Sequence, residues 1–367
     1  MFNINGPEYV SIFRTNSSNT QRIILFGDEH NSTYGFCDDC KLSKNCLHVI
    51  DFIKAMKKLQ HVDLFLESPY ATNDVKDVID KKLKEMMQNN DVLSNVILHF
   101  RNYLYKKHKK NQSLRVHYSD IRFHSSVYLM RRVSNILKNK VEKDIIYPLV
   151  VISHFKSPNT FKQFVDACVK KDNFIDEVKR IFKDNAPMYV DKEHLTNFNK
   201  IDRNMHRIRK QIKKVSPEMQ KALIKFHNKQ CKSILEDQYN SHYRSARKLF
   251  LTKQSYEIEN SDTSNNLQVL YMTISSWLFH LMDMYLLARM IYYIEKNSNR
   301  NIVVITGTKH TLNYQDFFEN TSFSKRFRKE WECDKAWDTL LSNSDKKQKR
   351  CMQIPVNIIK ELITFKS

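Results

Sequence analysis

Two short stretches of this 367-residue chain carry residues suited to metal chemistry at matching spacing. Arg22-Ile23-Ile24-Leu25-Phe26-Gly27-Asp28-Glu29-His30 is an apolar run that ends in glycine, two acids and a histidine. Asn301-Ile302-Val303-Val304-Ile305-Thr306-Gly307-Thr308-Lys309-His310 repeats the order of apolar run, glycine, two residues, histidine. The chain has only four glycines, and two of them stand at these positions. A missing side chain there lets the backbone turn sharply or approach a ligand closely where a side chain would clash. A third stretch, His61 to Pro69, is largely apolar and carries Glu67 just before a proline-containing turn. His30, His310 and Glu67 together are the donors a catalytic divalent ion uses, with positions left open for water and substrate. Hydrolysis assisted by such an ion also needs a proton acceptor, a role open to Asp28 or Glu29, either of which could ligate instead.

These three motifs resemble the superfamily of Tiki/TraB proteases, ChaN-like proteins and erythromycin esterases. The ChaN-like branch typically begins Gly-Glu-x-His-Asp-Asn, and this chain reads Gly27-Asp28-Glu29-His30-Asn31-Ser32. The segment Met282 to Arg289 is similar to the Arg-Asp-x-Tyr-Met-Ala helix of TraB-like members, with Met282 where arginine is usual. The resemblance runs from Arg22 to Tyr70 and from Asp283 to Tyr314, and the middle of the chain is unmatched. It implies a metal-dependent hydrolase of peptide or ester bonds, or haem binding as in the ChaN-like branch. It also implies that the strand after the glutamate brings polar groups to the site. Asp120 and Arg122 would then serve, Asp120 orienting a water and Arg122 holding a substrate carbonyl or developing oxyanion. An ordinary surface pair at a strand end is the other reading of these two.

The elements that must position such a site follow from the pattern. Short β-branched runs bounded by breakers predict strands buried on both faces, as in a parallel sheet covered by helices. Ligands bind such sheets beyond the carboxyl ends of the strands, where His30 and His310 would emerge. Val49, Phe52, Ile53, Met56 and Leu59 mark one face of a helix linking the first motif strand to the Glu67 strand, a unit whose crossover should be right-handed. An edge strand is expected at Tyr9 to Arg14, a helix through Val75 to Met87, a strand at Leu114 to Arg122 and a helix at Ser125 to Lys140. A further strand, Ile145 to Ser153, leads to His154, which either enters the site or satisfies a local hydrogen bond. From Thr160 to Phe250 the pattern is helical, with Ser216-Pro217-Glu218 as a helix start. A helix over Leu267 to Glu295 returns to the core, Tyr314, Phe317 and Phe318 cover the site, and Ile354 to Phe365 docks on the core. The expected fold is α/β, a mostly parallel central sheet flanked by helices, with a core of residues 1–155 and 266–367 and a helical insertion or cap at 156–265.

A second metal site is legible in the loop after His30. Cys37, Cys40, Cys46 and His48 supply four donors within twelve residues, enough for a tetrahedral structural zinc, with a disulfide or free thiols as the alternatives. The other cysteines are scattered and do not suggest a secreted disulfide framework.

Sixty-one lysines and arginines against forty acids give a net charge of +21, enough to attract nucleic acid, another polyanion or an anionic membrane surface. The basic clusters are Lys106 to Lys110, the helix face Arg203, Arg207, Lys210 and Lys214, and the segments Lys325 to Lys329 and Lys346 to Arg350. Such a charge motivates a different function, an inactive structural or nucleic-acid-associated protein of the kind packaged in a virus particle. Overuse of lysine, asparagine and isoleucine fits an AT-rich viral or parasite genome. The residues Met1 to Pro7 do not form a signal peptide, and the most apolar helix is interrupted by His280, Asp283 and Arg289, so no transmembrane segment and an intracellular, cytoplasmic location are expected. Nucleotide loops, a nucleophile elbow and a zincin helix are all missing, which disfavours those enzyme classes.

Overall fold

The β-branched runs form strands of one six-stranded sheet, and a late strand inserts between two early ones. The computed structural model of the chain describes residues 2–15, 21–28, 35–36, 46–69, 92–104, 112–121, 206–230, 261–296, 299–321, 323–330 and 349–363. Strands β1 (Phe2–Asn5), β2 (Tyr9–Thr15), β3 (Arg22–Asp28), β4 (Gly35–Phe36) and β5 (Cys46–His48) precede helix α1 (Val49–Leu59). They are followed by β6 (His61–Pro69), α2 (Val92–Leu104), β7 (Leu114–Asp120), α3 (Ser261–Lys296), β8 (Arg300–Gly307) and α4 (Thr308–Glu319). Strands β9 (Phe323–Glu330) and β10 (Lys349–Ile354) and helix α5 (Val356–Ile363) complete the order.

The large sheet runs β7-β6-β8-β3-β2-β9. Its first four strands are parallel, and β2 and β9 extend it antiparallel. It is therefore an α/β fold with a mostly parallel sheet flanked by helices. Strands β3 and β8 are buried along their whole length, as expected of parallel strands covered on both faces. Insertion of β8 between β3 and β6 sets Gly307 abreast of Asp28 and Ile305 abreast of Leu66. The carboxyl ends of three strands thus finish at one level, although two of them lie nearly 280 residues apart in sequence.

Strand β2, expected at an edge, instead lies between β3 and β9. The basic segment Lys325 to Lys329 is part of β9, and Lys325 and Arg326 on it are exposed. Charged side chains on an outer strand discourage pairing with another chain. A smaller sheet has the order β4-β10-β1-β5. Helix α1 buries Val49, Phe52, Ile53 and Met56, the face its periodicity marks, and Phe52 meets Phe26 edge to face at 6.0 Å. Helix α5 buries Ile359, Leu362 and Ile363, while its Glu361 pairs with Arg22 of β3 at 2.9 Å.

Two compact units emerge: Met1–Asp120 with Tyr293–Ser367, and Ile121–Tyr292. In the second unit, helical stretches at 206–212 and 217–230 are joined by a short turn. Ser216 Oγ accepts the Met219 N–H at 3.4 Å, with Pro217 in the first turn, where its missing N–H would be unpaired anyway. Helix α3 is buried all round from His280 to Ile291, including Asp283 and Arg289. No helix among the described residues is long and apolar enough to cross a membrane. The expected helices at 75–87 and 125–140, the strand at 145–153, His154 and the boundary at 155 lie outside the described residues.

Candidate functional site

The site is built on the contact between β3 and the first turn of α4. A Cβ at Gly27 would stand 3.0 Å from Thr308 Cα and 3.0 Å from Tyr9 Cβ, so glycine is what lets the helix settle against the strand. Thr311 Oγ1 donates to the Phe26 carbonyl at 3.1 Å and fixes the same turn from inside. Gly307 is the N-cap of α4, and its N–H donates to Glu67 Oε2 at 2.7 Å. The carboxylate that ends β6 therefore sits at a helix N-terminus, where unpaired amides and the helix dipole favour an anion. His310, also in that first turn, brings Nε2 to 3.7 Å from Glu67 Oε1, and the two side chains are 7% and 10% exposed. The Tyr314 ring lies one turn further on, 6.4 Å from the imidazole and nearly parallel to it. Phe318 does not cover the site but packs on Phe13 and Phe323 at 5.5 and 4.8 Å.

Asp28 is engaged in a similar way. It is 1% exposed, and its Oδ2 accepts the Leu93 N–H at 3.2 Å, tying the end of β3 to the first turn of α2. Glu8 is buried beside it, with its N–H donating to the Gly27 carbonyl at 2.9 Å. Sequence reasoning missed Glu8 because it stands in a turn with no periodicity of its own. Asp120 closes β7 opposite Pro69, at the same carboxyl edge of the sheet. Glu29, His30 and Arg122 lie outside the described residues.

Two side chains of the kinds that ligate divalent ions meet here. A separation of 3.7 Å is too long for a hydrogen bond, yet two donors span it when each lies about 2.1 Å from a shared ion. Imidazole nitrogen and carboxylate oxygen are the appropriate donor types. Among the described residues no group of three or more His, Cys, Asp and Glu side chains is placed to hold a metal, and His30, the third expected donor, is not among them.

The cysteine-rich loop has other commitments at its described end. Cys46 is disulfide-bonded, and a disulfide sulfur is not the thiolate that structural zinc uses. His48 Nδ1 accepts the Ile50 N–H at 3.2 Å and caps α1. Burial pushes the His48 imidazole down, against the opposing pull of Asp51, which keeps it in the neutral form that this bond needs. Cys37 and Cys40 lie outside the described residues.

Two buried polar groups were not foreseen as functional. At the amino end of the sheet, Asp63 of β6 receives Arg115 Nε at 2.5 Å, Arg300 Nε at 3.0 Å and His117 Nε2 at 3.0 Å. Arg300 also donates to the carbonyls of Val62 and Gln112, and His117 stacks on Phe65 at 4.5 Å. Burial alone would raise the Asp63 pKa, but the hydrogen bonds of His117 and Arg115 and the neighbouring charges hold it well below the usual carboxylate range. In the helical unit, His227 Nδ1 and His280 Nε2 lie 2.8 Å apart, both rings buried. One ring must donate and the other accept, so at least one of the two is neutral. Burial, then the charge of His227, pushes the His280 pKa well below its ordinary value. A charge inside an apolar strand was the available sign for Asp63; nothing in the sequence pairs His227 with His280.

No protein-family model matches the chain, and neither the curated proteins nor the solved structures include a match to it.

Proposed function

We propose that this chain is a metal-dependent hydrolase acting on peptide or ester bonds at the carboxyl end of its parallel sheet. The observation that carries the reading is the approach of His310 Nε2 to Glu67 Oε1 at 3.7 Å. These are two of three donors picked out from motifs far apart in the sequence, and neighbouring strands deliver them to one place. His30, two residues beyond Asp28, is the third. A divalent ion held there would supply a bound water of lowered pKa and polarise the carbonyl under attack.

The chain's own residues have separable tasks. Glu67 keeps Oε2 on the Gly307 N–H, which orients Oε1 toward His310. Asp28 is engaged by the first turn of α2 and suits positioning better than proton exchange, so Glu29 is assigned as the proton acceptor. Asp120, at the end of the adjoining strand, is assigned to water, and Arg122, two residues on in the sequence, to the substrate carbonyl.

Elemental analysis of the purified protein, repeated on Glu67→Gln and His310→Ala, tests the reading. Bound divalent metal should fall at least tenfold in both variants while thermal unfolding shows them folded. Hydrolysis of a peptide and ester panel should stop on chelation and return with added metal. Metal content equal in wild type and both variants would refute the site, and activity indifferent to chelators would refute the chemistry.

A further inference from the structure

A third of the net positive charge falls on one short stretch. Residues 206–230 hold eight lysines and arginines against a single acid, Glu218, a net +7 of the chain's +21 on 25 of its 367 residues. Both helical stretches bury apolar residues, Ile208 and Ile212 in the first and Met219, Leu223 and Phe226 in the second, and Val215 of the turn is buried too. Lys210, Lys213, Lys214, Lys221, Lys225 and Lys229 are exposed. Among the described residues, Lys210, Lys213, Lys221 and Lys225 have no acidic partner.

Lys221 and Lys225 fall at i and i+4, on one side of the helix and about 6 Å apart along its axis. Solvated helix faces usually set acids against lysines at this spacing, and like charges there are mildly destabilising. Lys221 and Lys225, neither with an acidic partner among the described residues, therefore retain a mild repulsion that an anionic partner would relieve. Their spacing is of the same order as that between successive phosphates of an extended nucleic-acid strand. Ile224, 38% exposed, flanks Lys221 on the same helix and offers apolar contact to bases or sugars, which a simple inorganic polyanion could not use.

We infer that the exposed face of residues 206–230 binds single-stranded nucleic acid through its phosphate backbone, without sequence preference. It is independent of the Glu67 and His310 site and does not need that site to be active. The lysines track the backbone, and affinity comes from counterion release.

The test uses the full-length protein and a fluorescently labelled mixed-sequence DNA strand, with binding read by anisotropy across a salt series. One variant combines Lys210→Gln, Lys213→Gln, Lys221→Gln and Lys225→Gln. A control of equal net charge combines Lys54→Gln, Lys58→Gln, Lys325→Gln and Lys360→Gln. Wild type and control should bind alike, with log affinity falling linearly on log salt. The first variant should lose at least tenfold at low salt, its slope shallower by about 0.7 per lysine removed. Equal binding by variant and control would overturn the inference. So would no binding near physiological salt, or tighter binding to duplex DNA or to anionic lipid vesicles than to the strand. If the fourfold variant melts early, the pairs Lys210→Gln with Lys213→Gln and Lys221→Gln with Lys225→Gln carry the same comparison.

Discussion

Gly27 and Gly6 both stand where a side chain is disfavoured, for different physical reasons. Gly6 has φ +124°, a conformation that side chains disfavour. Gly27 is needed for space, because an added Cβ would press on the backbone Cα of Thr308 at 3.0 Å. A flexible side chain could yield, but this neighbour is the first turn of α4, which also holds the Gly307 N–H on Glu67 and carries His310. Gly27→Ala should therefore lower stability by about 1–3 kcal/mol in urea unfolding and loosen divalent metal binding in the same protein. A variant with both properties at wild-type values would show that the helix does not depend on this approach. The glycine was visible in the sequence as a motif member, but its reason was not. Only the fold shows that it makes room for the turn carrying the second Gly-x-x-His motif.

At the scale of elements, β6 carries an acid at each end, and the two have opposite fates. Glu67 lies at the carboxyl end beside a helix N-terminus, whereas Asp63 near the amino end is fully buried among Arg115, Arg300 and His117. The latter set joins the three parallel strands β6, β7 and β8. Asp63→Asn leaves two buried guanidinium groups without their anion and should cost about 3–5 kcal/mol, measured by denaturant unfolding. A loss below about 1 kcal/mol would mean that water replaces the carboxylate without penalty. Apolar runs made β3, β6 and β8 legible, since continuous burial leaves a continuous apolar pattern. Their order was not legible, because pairing between strands leaves no local trace. Placement of β8 between β3 and β6 had to come from the fold, and with it the meeting of His310 and Glu67. Strand β9 was missed because its lysines and arginines read as a solvated segment, while the exposure of an outer strand is what tolerates them.

For the whole molecule, the two compact units contain titrating groups that fail in different acid ranges. Asp63, in the unit with the sheet, has a folded pKa below that of an unfolded aspartate, near 3.9. Its contribution is complete above that value and is lost only as pH falls below about 4 toward the folded pKa. His280, in the helical unit, has a folded pKa depressed below 6.5. As pH falls below about 6.5, the unfolded state takes up a proton that the folded state refuses, and stability drops by up to about 1.4 kcal/mol per pH unit. The influences on His280 are burial first and the charge of His227 second, both opposing protonation; Asp283, one turn along the same helix, is fully buried. Hydrogen exchange followed by mass spectrometry, corrected for intrinsic rates, should therefore show peptides from 217–230 losing protection between about pH 6.5 and 5. Peptides from β6 should keep theirs until below about pH 4. His280→Gln, which retains an amide donor for His227 Nδ1 but cannot be protonated, should flatten the upper transition and leave the lower one in place. Simultaneous loss of protection in both segments near pH 4, or an unchanged upper transition in the variant, would show that the histidine pair does not set the acid response of the helical unit.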